Sequence, residues 1–547
     1  MLKSRLGPVS FLLVLCVAGS ALAGDVTPHF EGLGNFHRAV STQLQEAQRY
    51  FDQGMVLYFG FNDEEALNSF RAAAALDPTC AMAYWGSALA VGPNINNPDM
   101  DEDAVRVAHE SITQALAQFD TASAVERALI QALARRYVES PPEDRSALDL
   151  AYANAMREVW RAHPEDPEVG ALFAESMMDL RPWDLFDAEG EMQPGTDEII
   201  STLETVLAAH PEHPFANHLY IHTMEASKEP QRALASADRL RDLVPAAGHL
   251  LHMPSHIYMR LGRYNDVITA NQKAIAADLS YVDLVGRHGF YTLYRAHNYH
   301  FLAYAAMFDG QKQLAMNAAR SMLAEVPLEL VRAFPDFLDS FIAVPIHVMV
   351  RFGMWKDLLD EPAPPEDLQV CTATWHYGRT IALSVLGRVD EAGQEMKAFE
   401  MALDAIPESR LVGNNTAKVV MEIGRNMAEG ELEYRRGNYD RAFELLREAV
   451  RRDDELKYDE PWGWMQPARH ALGALLVEQK RYVEAEAVYR EDLKLHPDNG
   501  WSLHGLAECL RNTGRGEEAM KVDAKYRKSW ARSDIMIKGS CFCRTKS

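Results

Sequence analysis

The chain is poor in cysteine, with 6 in 547 residues, and short of positive charge, with 55 Lys+Arg against 79 Asp+Glu. The first shortage excludes a disulfide framework as the main source of stability. The second leaves a net charge of −24 and argues against a nucleic-acid or anionic-membrane surface. Gly at 32 and Pro at 26 are too few for a collagen-like or low-complexity chain. Beyond the first two dozen residues no run of 18 apolar residues occurs, so no membrane span is expected. Also absent are H-E-x-x-H, C-x-x-C-H, a phosphate-binding glycine-rich loop and G-x-S-x-G. No nucleophile stands out. What is there is 48% hydrophobic content, enough for more than one core.

Residues 1–23 read as a secretory signal peptide. Lys3 and Arg5 precede an apolar run from Phe11 to Gly19, and Ala21-Leu22-Ala23 is a small-x-small cleavage site. The expected location is therefore extracytoplasmic, periplasmic or secreted, after cleavage near Ala23. Five cysteines would then enter an oxidising compartment: Cys80, Cys371, Cys509, Cys541 and Cys543.

The rest of the chain repeats itself. Tyr50, Gly54, Ala66, Phe70, Ala73 and Pro78 form one unit of a 34-residue pattern. Gly430, Gly437, Tyr439, Ala442, Leu446 and Ala449 form another; Leu472, Gly473, Tyr482, Ala485, Tyr489 and Pro497 a third. Leu506, Ala507, Gly514 and Ala519 begin a fourth. Weaker units place Gly262, Gly310, Gly353 and Gly387 at turns between helices. On these residues the chain resembles the tetratricopeptide repeat superfamily over most of 40–530, which implies an all-α solenoid of helical hairpins. Small residues let paired helices approach, and aromatics fill the gaps between pairs.

Insertions interrupt the spacing at Arg181–Asp197 and Leu279–Ala296. The expected organisation is N-terminal repeats over 24–165, histidine-rich central repeats over 166–359, a linker at 360–369, and C-terminal repeats over 370–530. A basic tail, 531–547, follows. Eight basic residues face two acidic ones between Lys521 and Lys546, and Cys541-Phe542-Cys543 is too close in sequence for an ordinary intrachain bridge. The tail is expected either to fray or to dock head to tail on a second copy, as a ring or filament.

The histidines carry the functional signal. Ten of the 19 lie between His210 and His300, where an even spread would put about three. His218 and His222 are four apart, as are His252 and His256, and the pairs are 34 residues apart. His249 and His297 each lie thirteen residues before a turn glycine, His252 and His300 ten, His256 and His347 six. These offsets share one helix face. A row of imidazoles along one groove suits Zn, Cu, Fe or Ni. The expected core is His218, His222, His252 and His256, with His249, His297, His300 and His347 as additional or second-site ligands. Met224, Met253, Met259 and Glu225 lie near enough in sequence to join it. Pro254 and Pro345 should bend their helices or make them start late.

The string His249-Leu-Leu-His252-Met-Pro-Ser-His256-Ile-Tyr-Met-Arg-Leu-Gly262 resembles a signature of certain bacterial tetratricopeptide proteins. Their H-x3-H element is matched by His218–His222, and their downstream element by His297-Asn-Tyr-His300-Phe-Leu-Ala-Tyr304. In tetratricopeptide arrays the first helix of each pair lines the concave groove, so the resemblance implies a ligand-facing stripe. Three readings stay open: a metal-holding solenoid for storage, delivery, sensing or structure; a metalloenzyme using the same imidazoles; and a metal-free scaffold that binds a protein or peptide in its groove or assembles with itself.

Overall fold

The structure, a computed structural model, describes residues 27–187, 190–286, 289 and 291–545. The expected signal peptide, 1–23, and His288 lie outside the described residues. Among the described residues the fold is all-α, with one tiny hairpin pairing Leu411–Val412 to Asn415–Thr416. No helix is long and apolar enough to cross a membrane.

Local chemistry sets the helix ends. Asp166 accepts a hydrogen bond from the Val169 amide while Pro167 occupies the first helical position, where its missing N–H costs nothing. Ser123 and Glu126 form a reciprocal capping box. The helix Tyr439–Asp454 buries one stripe, Ala442, Phe443, Leu446 and Ala449, and turns Arg441, Arg447 and Arg451 away from it. Tyr489 shows what the small residues do: a methyl group at Gly473 or Gly505 would lie within 2.6 or 2.2 Å of its ring. Each turn glycine expected at 262, 310, 353 and 387 has positive φ.

By internal packing the chain falls into two units, 1–254 with 276–291, and 255–275 with 292–547. The first holds hairpins such as Gln45–Phe59 with Asp63–Leu76, and Pro167–Met178 with Thr196–Ala209. The second runs from Thr292–Phe308 with Lys312–Glu325 to Gly500–Asn512 with Gly516–Ser529. The division falls elsewhere than the expected linker. Segment 360–369 stays within the second unit because Leu368 is fully buried, Asp367 pairs with Arg332 at 2.7 Å, and the Glu361 carbonyl accepts from the Trp375 indole.

The tail also departs from expectation, since through Thr545 it is folded onto its own unit. Asp534 accepts from the Lys312 and Gln313 amides, capping the helix Lys312–Glu325. Arg532 pairs with the buried Asp309, and Arg544 with Glu508 at 2.6 Å. Cys541 and Cys543 are bridged, because local chain reversal brings their Cα atoms to 5.1 Å, within disulfide reach. Arg532 and Arg544 thus find partners within the chain, while Lys521, Arg527, Lys528 and Lys538 are exposed.

Pro254 and Pro345 act as their chemistry requires. One helix ends at His252 and the next begins at Pro254; Pro345 sits in the first turn of Val344–Arg351.

Candidate metal centre

In the first unit three imidazoles converge. His218 and His222 lie one turn apart on the helix Pro214–Glu225, started by His213, whose Nδ1 accepts from the Ala216 amide, and by Pro214. His249 comes from the short helix Gly248–His252. One ring nitrogen of each lies within 4.8 Å of the other two, and all three side chains are buried.

Each ring is held by a different device. The helix Gln45–Phe59 ends with carbonyls that no later amide within it can satisfy. His218 supplies the missing donor: its Nδ1–H donates to the Phe59 carbonyl at 2.6 Å. A neutral imidazole carries one proton, so this bond fixes a lone pair on His218 Nε2. His222 Nδ1 lies 2.6 Å from Glu225 Oε1, which leaves its Nε2 as the lone-pair atom too. His249 is placed through its backbone, whose amide donates to the Tyr291 hydroxyl, itself bonded to Asp278 at 3.0 Å. Asp278 approaches the start of that helix so closely that a methyl group at Gly248 would lie 1.9 Å from its carboxylate. Only glycine fits there.

His218 Nε2 and His249 Nε2 are 3.2 Å apart. Two nitrogens about 2.0 Å from one tetrahedral ion are separated by about 3.3 Å, so this edge fits a first-row metal. The Nδ1 bonds to a carbonyl and a carboxylate are the outer-shell pattern that orients metal-binding imidazoles. Three nitrogens leave a fourth position for water or substrate. Aromatic rings close the surroundings: Phe61 stacks on His249 at 5.3 Å and lies 4.7 Å from His218. Trp183 sets its edge against His222 at 5.4 Å. It does so from the first insertion, in a left-handed backbone conformation (φ 57°), unusual for a bulky side chain. Beside it a cleft lined by Ile95, Arg181 and Phe186 reaches His222 and Glu225.

The remaining candidates distribute differently. His252 is fully buried and stacks on His249, centroids 5.9 Å apart. It ends its helix, so it does not share a continuous helix with His256, and the expected i, i+4 pair is interrupted at Pro254. His256 belongs to the second unit, with Nδ1 3.4 Å from Glu460 and its ring 6.0 Å from His297. His300 packs on Phe341 and His347 edge-on to Trp464. Burial pushes their pKa values down to about 3 and about 4, so both rings stay neutral. Among the described residues neither joins a trio of His, Cys, Asp or Glu with ligand atoms within 4.8 Å.

Sequence reasoning missed Phe59, Phe61, Trp183, Asp278 and Glu460. The Glu225 role had a signal, an H-x-x-E spacing that puts the carboxylate one turn beyond His222.

Residues 476–526 match the tetratricopeptide repeat family. No curated protein matches the chain. Among solved structures, a human IFIT1 dimer with m7Gppp-AAAA is 14% identical with a TM-score of 0.33, covering 89% of this chain and 90% of that one. Yeast Tom70 is 11% identical with a TM-score of 0.29, covering 90% and 91%. The P58(IPK) TPR domain is 11% identical with a TM-score of 0.21, covering 86% and 99%.

Proposed function

We propose that this tetratricopeptide-repeat protein binds a transition metal ion through His218, His222 and His249, in an extracytoplasmic compartment. The observation that carries the reading is the pair of Nδ1 anchors, Phe59 carbonyl and Glu225 carboxylate, which turn two Nε2 lone pairs toward one point beside His249. Without an ion, His249 Nε2–H can donate to His218 Nε2 across 3.2 Å; with an ion bound, the same nitrogens would turn their lone pairs to it. The donor set is all nitrogen, which favours Zn, Cu, Ni or Fe over Ca or Mg. Phe61 and Trp183 pack against the imidazoles, which suits retention and slow exchange, as in storage or delivery. An open fourth position keeps redox or hydrolytic chemistry within the same reading.

The second reading, a groove that holds a protein or peptide, is favoured by the repeat architecture itself. Elemental analysis of protein purified without a histidine tag separates the two. About one Cu, Zn, Ni or Fe per chain supports the first; none, before or after incubation with these ions, leaves the second.

A further inference from the structure

The second unit contains a cavity of about 90 Å³, walled by Phe341, Val344, Met421, Trp464 and Met465, with His300 and His347 on its lining. It is small, with room for little more than one ring, and its walls are largely apolar with a few polar points. Most of those polar points are already satisfied. The Trp464 indole donates to Met427, the Trp462 indole to Asp453, Thr374 to the Val370 carbonyl and Ser340 to the Phe337 carbonyl.

The two imidazoles are different. His300 Nε2 and His347 Nδ1 are shielded from solvent and have no hydrogen-bond partner, and His347 is only 7% exposed. Orphaned buried polar groups are rare in native proteins because each forfeits its hydration without recompense. Two in one cavity point to a ligand that completes them. A metal is a poor candidate, since among the described residues neither ring joins two further His, Cys, Asp or Glu ligand atoms within 4.8 Å. An anion is equally poor. Among the described residues no lysine or arginine lines the cavity, both rings are neutral, and Asp459 and Glu460 stand on its wall. A charged guest would also lose hydration on entering such apolar walls.

We infer that this cavity binds an uncharged aromatic molecule, phenolic or N–H heteroaromatic, whose ring packs between Phe341 and Trp464 and whose donor group hydrogen-bonds to His300 or His347. A neutral imidazole offers one lone pair and one N–H, so two of them can take both a donor and an acceptor of the guest. The inference does not depend on the metal reading: every residue it uses lies in the second unit, and its test is run on chelator-treated protein.

The experiment is calorimetric titration of the full chain with 4-ethylphenol and with indole, beside toluene, benzoate and benzylammonium. The expected result is one phenol or indole per chain, with toluene at least tenfold weaker and both ions weaker still. His300→Leu and His347→Leu should each weaken phenol binding at least tenfold without lowering the melting temperature, because each removes an unsatisfied polar group. No binding at about 1 mM, toluene or an ion binding as tightly as phenol, or leucine variants that bind like wild type would each overturn the inference. If a leucine variant fails to fold, the comparison of phenol with toluene on the wild-type chain decides.

Discussion

His218 Nε2 stands 3.2 Å from His249 Nε2, although the two residues come from different helices and are 31 positions apart. The contact exists because the His218 ring is pinned from behind by a helix-end carbonyl, and the His249 backbone is held by Tyr291 and Asp278. The pins should matter almost as much as the rings they hold.

The first consequence concerns Glu225. Glu225→Ala removes the acceptor that orients His222 and should weaken metal binding about 10- to 100-fold. Glu225→Gln keeps an acceptor without the charge and should fall between. Equal affinity in all three proteins, measured by competition with a chelator, would show that His222 needs no such partner.

Trp183 makes a kinetic prediction. Its ring covers His222 beside the cleft that reaches this residue. Trp183→Ala should accelerate chelator extraction of the metal several-fold while changing affinity much less. Stopped-flow with a chromogenic chelator reads the rate; an unchanged rate would show that the ion leaves by another route.

How much of this was legible beforehand follows from where periodicity reaches. The 34-residue register of Gly473, Tyr489 and Pro497 exposed the helical repeats, and the matching of His218 and His222 to His252 and His256, and of His249 to His297, exposed the stripe. Register alone could not choose between His249 and His252, because the choice turns on the helix break before Pro254. The Phe59 carbonyl lies 159 residues from His218 and carries no side-chain signature at all. Trp183 sits in an insertion, and the tail after Trp530 has no repeat pattern, so their contacts had nothing periodic to announce them.

The tail yields a stability prediction. A side chain at Gly353 would collide with Phe542, whose ring also lies 6.1 Å from Trp501. Phe542→Ala should destabilise the second unit by about 1–3 kcal/mol. Deleting 536–547 should lower its melting temperature and leave the mass in solution unchanged. A deletion that dissolves a larger assembly without shifting the melting temperature would place the tail between chains instead.

Acid should weaken the second unit through His300 and His347. Their folded pKa values, about 3 and about 4, lie below the ordinary 6.5. Below pH 6.5 the unfolded chain therefore binds more protons, so stability is full above that pH and falls as the pH drops toward 4. His347 alone contributes up to about 3 kcal/mol of this loss. His347→Leu should flatten the dependence of unfolding free energy on pH between 6.5 and 4; a variant with the wild-type slope would contradict the assignment.

The most direct test is calorimetric titration of chelator-stripped chain with Zn and Cu, comparing wild type, His218→Ala/His249→Ala and His300→Ala. The account predicts one tight ion per chain in wild type and in His300→Ala, with its loss in the double variant while the helical circular dichroism stays intact. Tight binding that survives the double variant, or no heat from either ion in wild type, would contradict it.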